Sequence, residues 1–287
     1  MKQLIINADD FGLHEAINQG IIQGYQSGCI TSASIMPNGE AFENAVALSM
    51  ANPGMGTGVH LTLVGEKPLN DPGKVMSLVD KEGFLSSSYI QFLLRFIFGQ
   101  VRLEEVRLEL WEQVRKVVDT GIHITHLDSH QHLHVVPGIL DIAIDIAKEF
   151  KIKAIRIPDE PYWFFGNYPF MPVRIAARAG LTFLSRLARK RVKVCGLAAP
   201  DHFFGMLAGG NMREEYLINI VDKLPDGVSE IMMHPGSPGS YADELNKSYG
   251  WDLHWQSELD AVTSRRLSST IKDNRVSLVS FKELHNG

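Results

Sequence analysis

His126-Leu127-Asp128-Ser129-His130-Gln131-His132-Leu133-His134 puts histidine or aspartate at every second position and no ionisable group between them. In an extended strand, side chains alternate between two faces, so this spacing predicts that His126, Asp128, His130, His132 and His134 point the same way. Five of the chain's 11 histidines fall between His123 and His134, too many for a solvated strand face, which usually carries Lys, Glu or Thr. The row reads as metal ligands, acids and bases. Geometry limits how many can share an ion: strand residues two apart are roughly 6.5 Å apart, whereas two ligands of one zinc lie within about 4 Å of each other. Other ligands must come from elsewhere in the chain.

Three other places supply candidates. Leu4-Ile5-Ile6 is an apolar strand that breaks into Asn7-Ala8-Asp9-Asp10-Phe11-Gly12, so two adjacent carboxylates sit where a strand becomes a loop. The ordinary alternative is that one of them caps the next helix. Adjacent carboxylates diverge, which lets one bind a metal while the other reaches a water as general base. His60 alternates with Val59 and Leu61 in a strand pattern, and His234 ends the apolar run Ile231-Met232-Met233 before Pro235-Gly236. All four sites are at strand exits. In barrels and open sheets of alternating strands and helices, the loops after the strands form the active face.

The rest of the chain repeats the alternation. Helical patterns at 15–27, 41–50, 104–120, 137–150, 213–223 and about 255–270 separate strand patterns at 31–36, 123–128, 154–157, 228–234 and 276–279. About seven strands with crossover helices predict an α/β fold, a distorted (β/α) barrel of parallel strands. The 287 residues carry no linker, charge block or repeat, which predicts a single domain over 1–287 with a less regular insertion near 64–100.

Composition narrows the function. The 45% hydrophobic and 21% charged fractions are ordinary for a globular core, and a net charge of -5 argues against nucleic acid as a partner. Cys29 and Cys195, the two cysteines, show no disulfide or zinc spacing, which with the strand signal at Leu4 predicts a soluble cytoplasmic protein. Arg174 to Lys193 is a basic amphipathic stretch that would suit either a surface helix or membrane-surface contact. Phe92 to Phe98 is too short to span a bilayer and would suit core packing, a cleft wall or a subunit interface. Asp201-His202-Phe203-Phe204-Gly205 would suit a loop that stacks on a sugar ring.

Together, Asn7 to Gly12, Val59-His60-Leu61, His126 to His134 and His234-Pro235-Gly236 resemble, in order, the motifs of the YdjC-like carbohydrate deacetylases. That resemblance implies a distorted barrel like that of the polysaccharide deacetylases, one divalent metal, and hydrolysis of the acetyl group from an N-acetylated amino sugar. The substrate implied is chitooligosaccharide-like or lipid-linked. It also implies Asp10, His60 and His130 as metal ligands, Asp9 as general base, His234 as general acid, and a homodimer. Asp128, His132, His134, Arg156 and His202 are the remaining candidates for substrate binding, with Asp128 alternatively orienting His234 or another histidine. Two nitrogens and one oxygen suit zinc or another first-row metal better than magnesium. A metal-dependent phosphoesterase could use the same ion and base with Arg156 as its phosphate-binding cation. A non-catalytic metal-binding protein would have no need of Asp9 beside Asp10.

Overall fold

The strand β1 (Lys2–Phe11) lies in the middle of the sheet in a computed structural model that describes residues 1–165, 168–169, 171–239 and 241–284. Leu4, Ile5 and Ile6 are all fully buried, because a parallel strand covered on both faces needs apolar side chains on both. Around it run β2 (Ser32–Ile35), β3 (Gly56–Leu61), β4 (Ile124–Ser129) and β5 (Ala154–Ile155) on one side, and β7 (Gly227–Met233) and β6 (His202–Phe204) on the other. All these neighbours pair in parallel, in the order β5-β4-β3-β2-β1-β7-β6, and the short β8 (Ser277–Leu278) also pairs with β1. A bridge between Ala154 and Ala198, just before β6, links the two ends of the series. The result is the distorted parallel barrel expected from the alternation.

Helices cover the outer face. The first, α1 (Glu15–Ser27), is capped by His14, whose side chain accepts from the Ala16 N–H, and it buries Ile17 and Ile21 one turn apart. Fully burying each such side chain contributes about 1.5–3 kcal/mol. Gly20 brings this helix against the loop after β7: a Cβ there would lie 2.4 Å from Gly236 Cα. In chain order there follow α2 (Phe42–Ala51), α3 (Tyr89–Ile97), α4 (Leu103–Asp119), α5 (Ile139–Glu149), α6 (Pro172–Val194), α7 (Glu214–Asp222), α8 (Tyr241–Tyr249), α9 (Trp255–Val262) and α10 (Arg265–Asp273). Among the described residues no helix is long and apolar enough to cross a membrane.

Three expectations change. The segment 255–270 is two helices, because Ser264 stops one and caps the next by accepting the Leu267 N–H. The run 201–205 contains a strand, β6, and its two phenylalanines are fully buried. Phe92 to Phe98 belongs largely to α3, which buries Phe92 and leaves Leu94, Ile97 and Phe98 exposed.

The largest difference concerns the histidine row. The strand β4 ends at Ser129, and residues His130–Val135 form a tight 3-10 turn in which Gln131 and His132 have φ of 57°. Left-handed backbone at two successive non-glycine residues is costly, roughly 1–2 kcal/mol each. It is held by His134: the ring Nδ1 meets Ser129 Oγ at 2.6 Å, its Nε2 meets the Arg156 carbonyl at 2.9 Å, and its N–H donates to Ser129 Oγ at 2.9 Å. Only His126 and Asp128 share the strand face. The strict alternation broke down because the turn redirects every side chain after Ser129.

Candidate metal centre

Asp9 and Asp10 owe their geometry to a bulge. Pairing of β1 with β2 shifts register between Ala8 and Phe11, and Asp10 takes φ 61°. The shift brings both carboxylates to the same end of the sheet, where alternation alone would send them to opposite faces. Asp10 Oδ1 lies 3.4 Å from His60 Nε2 and 3.0 Å from His130 Nδ1, and all three residues are buried. One carboxylate oxygen and two imidazole nitrogens, all within 4.8 Å of one another, form a donor set of the kind that holds a first-row divalent ion.

The second layer of contacts supports that reading. His60 Nδ1 faces Asp128 Oδ1 at 2.9 Å, which directs the Nδ1 proton to Asp128 and leaves the Nε2 lone pair towards Asp10. Burial disfavours a proton on His60, but Asp128, Asp9 and Asp10 outweigh it and push the ring up to about 10. Asp10 is likewise disfavoured as an anion by burial, yet His130 and His60 hold it well below the usual carboxylate range. The cluster therefore demands positive charge, which a divalent ion would supply in place of the ring proton. Asp9, His60 and Asp128 also lie within ligand distance of one another, but the two aspartates are already engaged by arginine.

That arginine is Arg156, which has no exposed surface. Its guanidinium grips Asp9 with both ends, Nη1 to Oδ2 at 2.6 Å and Nη2 to Oδ1 at 2.7 Å. Nη1 also lies 3.0 Å from Asp128 Oδ2, and Nε donates to Glu230 Oε1 at 2.7 Å. Glu230 sits on β7 with its other oxygen unpartnered among the described residues, and burial pushes it up to about 7 against the pull of Arg156. Asp9 Oδ1 takes a second bond, from Asn7 Nδ2 at 2.9 Å, so Oδ2 keeps a free lone pair.

His234 follows β7 directly. Its N–H donates to Glu258 Oε2, and Nδ1 lies 3.9 Å from the same oxygen without a hydrogen bond. Glu258 also accepts the Met212 N–H at 2.9 Å, and burial raises its pKa. Beside His130 opens a cleft of about 170 Å³. One wall is Tyr249 and Trp251, stacked 4.2 Å apart, with Trp251 tilted 5.4 Å from His130. Ser87, Ser88 and Tyr89 line it as well. The irregular 64–100 segment thus builds part of a cleft.

Several candidates for substrate contact lie elsewhere. Asp128 is fully buried beneath His60 and receives Ser34 Oγ at 2.6 Å, so it orients that histidine and does not face a substrate. Arg156 is sealed under three carboxylates and is unavailable to a phosphate. His134 pins the turn, held down to about 4 by burial, and is neutral. His132 is half-buried with its ring edge-on to Phe203, and burial holds its pKa well below that of a free histidine. His126 stacks on Phe281 at 3.6 Å under the sheet. His202 begins β6 beside the Asp226 carbonyl, at the opposite end of the strands from Asp9. Sequence reading missed Glu230, Glu258, Tyr249 and Trp251. A lone Glu230 in the run 228–233 and a lone Arg156 in 154–157 were the available signal: opposite charges, each buried in an apolar strand pattern.

Parallel strands with a buried Asp-His-His cluster at their exits define an α/β barrel protein with a candidate metal centre. Residues 3–273 match the YdjC-like protein family, and the chain belongs to it. Similar proteins include one named chitooligosaccharide deacetylase from Escherichia fergusonii, 40% identical over 99% of each chain. Another, named carbohydrate deacetylase, from Brevibacillus brevis, is 33% identical over 98% of this chain and 99% of its own length. A crystal structure from Enterococcus faecalis V583, named for cellobiose-phosphate cleavage, shares the fold with a TM-score of 0.76 at 25% identity, covering 98% of each chain.

Proposed function

We propose that this chain is a metal-dependent carbohydrate deacetylase that hydrolyses the acetamide of an N-acetylated amino sugar, either chitooligosaccharide-like or lipid-linked, in the cytoplasm. The observation that carries the reading is the juxtaposition of Asp10, His60 and His130 with Asp9 on the same bulge. The names of the similar proteins support the choice of reaction. A divalent ion bound by those three side chains supplies the Lewis acidity that polarises an amide carbonyl; zinc or another first-row metal suits the donors better than magnesium. Asp9 takes a proton from water at Oδ2, the oxygen with the open lone pair, while Arg156 and Asn7 keep the carboxylate from rotating. His234 hands a proton to the departing amine, its backbone fixed by Glu258. One water enters; acetate and the amino sugar leave. Tyr249 and Trp251 offer an aromatic wall against which a sugar ring packs. A phosphoesterase loses its main support with Arg156 buried.

The test is acetate release from N-acetylglucosamine oligomers, phosphorylated N-acetylglucosamine and a glucosaminyl lipid. Metal-stripped protein would be restored with zinc, cobalt, nickel or magnesium. Metal-dependent release is expected, and Asp9→Asn should keep its metal while losing nearly all turnover. Silence across the panel with metal bound refutes the reaction; loss of metal in Asp9→Asn makes Asp9 a ligand.

A further inference from the structure

The two walls of the cleft beside His130 come from parts of the chain far apart in sequence, and one contact ties them together. Tyr249 closes α8, and Gly250 after it takes φ 65°, which lets the Trp251 N–H reach back to the Asn246 carbonyl at 2.9 Å. That helix end folds Trp251 onto Tyr249, with the rings 17° from parallel, so whatever fixes one ring fixes the other. The helix behind them is lightly held: of its nine residues Tyr241 alone is buried, at the opposite end, where it stacks on His14. At the near end the Tyr249 hydroxyl donates to Glu66 Oε1. Among the described residues this is the one hydrogen bond from the 241–251 segment to the 64–100 segment.

Glu66 stands on a firm base. The Gly65 N–H donates to the Ser86 carbonyl and the Leu85 N–H to the Glu66 carbonyl, each at 2.9 Å. The loop after β3 is thereby stitched to the stretch that leads into Ser87, Ser88 and Tyr89 of the other wall. Gly65, at φ 88°, also makes room for the contact: a Cβ there would lie 3.2 Å from Tyr249 Cε1. The carboxylate is unfavourable where it is. Burial, Asp10 and Glu40 all disfavour its charge and push it up to about 7 against the pull of Tyr249, and the adjacent Lys67 lies over the Phe84 ring instead. A half-buried acid whose partner is a tyrosine and not a cation adds little to the fold, so its use lies in what the pair does for the cleft.

Resting on the deacetylase reading above, we propose that Glu66 is a positioning residue for the sugar: by holding Tyr249 across the cleft it sets Trp251 against His130 and keeps the aromatic wall in place before the substrate arrives. A wall ordered in advance removes an entropic penalty from binding, and removes it equally for the bound substrate and the transition state. Loss of the contact therefore appears in KM.

Tyr249→Phe keeps the ring stack and removes the hydroxyl, Glu66→Ala removes the acceptor, and Glu66→Gln keeps an amide oxygen in its place. With metal-loaded enzyme and whichever member of the sugar panel above is hydrolysed, the first two should raise KM about tenfold with a much smaller effect on kcat. Glu66→Gln should restore most of the loss, and Tyr249→Phe combined with Glu66→Ala should be no worse than either alone. Amide exchange over 241–251, read by mass spectrometry without sugar, should rise in Tyr249→Phe and Glu66→Ala and not in Glu66→Gln. An unchanged KM, additive losses, a fall in kcat or metal content in place of the rise in KM, or unaltered exchange overturns the proposal while the wild-type reaction stands. Silence of the metal-loaded wild type across the panel removes the deacetylase reading, and the role of Glu66 falls with it.

Discussion

Replacing Arg156 with lysine keeps the charge and removes the fork, and the structure says what that costs. The guanidinium makes four contacts with three carboxylates, at 2.6 and 2.7 Å to Asp9, 2.7 Å to Glu230 and 3.0 Å to Asp128, with no exposed surface. A single ammonium nitrogen cannot reproduce that planar set. If it retains two of the four, the loss is two charge-assisted hydrogen bonds in a site closed to water, about 3–6 kcal/mol. For a chain of this size that lowers Tm on the order of 10 °C. Urea unfolding followed by circular dichroism at pH 8 and pH 6 measures it. The pH comparison has a definite sign. Burial already pushes Glu230 up to about 7 with Arg156 in place, so weakening that partner raises it further. The folded variant then binds more protons than the unfolded chain, and its deficit should shrink as pH falls through about 7. A loss under about 1 kcal/mol, or a deficit that grows at low pH, would refute the account of Arg156 as the buried counter-ion.

Three other perturbations follow from the same geometry. Asp128→Asn leaves His60 an acceptor but removes the charge opposite it, so metal affinity should fall about 10–100-fold in competition with a chelator; unchanged affinity would remove Asp128 as the orienting group. Gly20→Ala puts a methyl 2.4 Å from Gly236 Cα and 2.6 Å from Ser237 N, backbone that carries His234 just upstream. Stability should drop by about 1–3 kcal/mol and kcat should fall at full metal occupancy, and wild-type turnover would show that the loop position is immaterial. Burial pushes Glu160 up to about 7 from 4.5, against the N–H groups of Gly205, Leu207 and Met206 and the charge of Arg178. Its contribution to stability is therefore complete below about 4.5 and is lost as pH climbs through about 7. Glu160→Gln should flatten that part of the urea-midpoint profile between pH 5 and 8.5, and parallel profiles would show that Glu160 does not titrate there.

Local pattern was enough for most of the barrel. Alternation of apolar and polar residues located β3, an apolar run located β7, and the exit of β1 is visible because the apolar run Leu4-Ile5-Ile6 gives way to Asn7 and then to the charges of Asp9-Asp10. Asp10, His60 and His130 come together as the resemblance implied, although the reasoning that put His130 on a strand face was wrong. Its position depends on the left-handed turn at Gln131 and His132, whose cost is met by hydrogen bonds to Ser129 and to Arg156 across the sheet. Contacts of that length leave no periodic trace. The same holds for the Arg156 network, drawn from β1, β4, β7 and the segment after β5, and for Glu258, which reaches His234 from a helix 24 residues on. His202 misled for the converse reason: its aromatic neighbours resemble a sugar-binding loop in composition, but Phe203 and Phe204 are sheet core.

The central place of β1 bears on how fast the molecule can form. On one side Asn7 pairs with Ser32, and on the other with Met232, 25 and 225 residues away respectively. Closing the longer loop costs about 2 kcal/mol more chain entropy than the shorter one, and nothing repays it until the ladder along Lys2–Ala8 has begun. Topologies dominated by such remote pairings fold slowly. During synthesis, the strand that bears both aspartates waits with one hydrogen-bonding edge open until residues 227–233 arrive. The chain's second half is therefore what protects its first strand from pairing with another molecule.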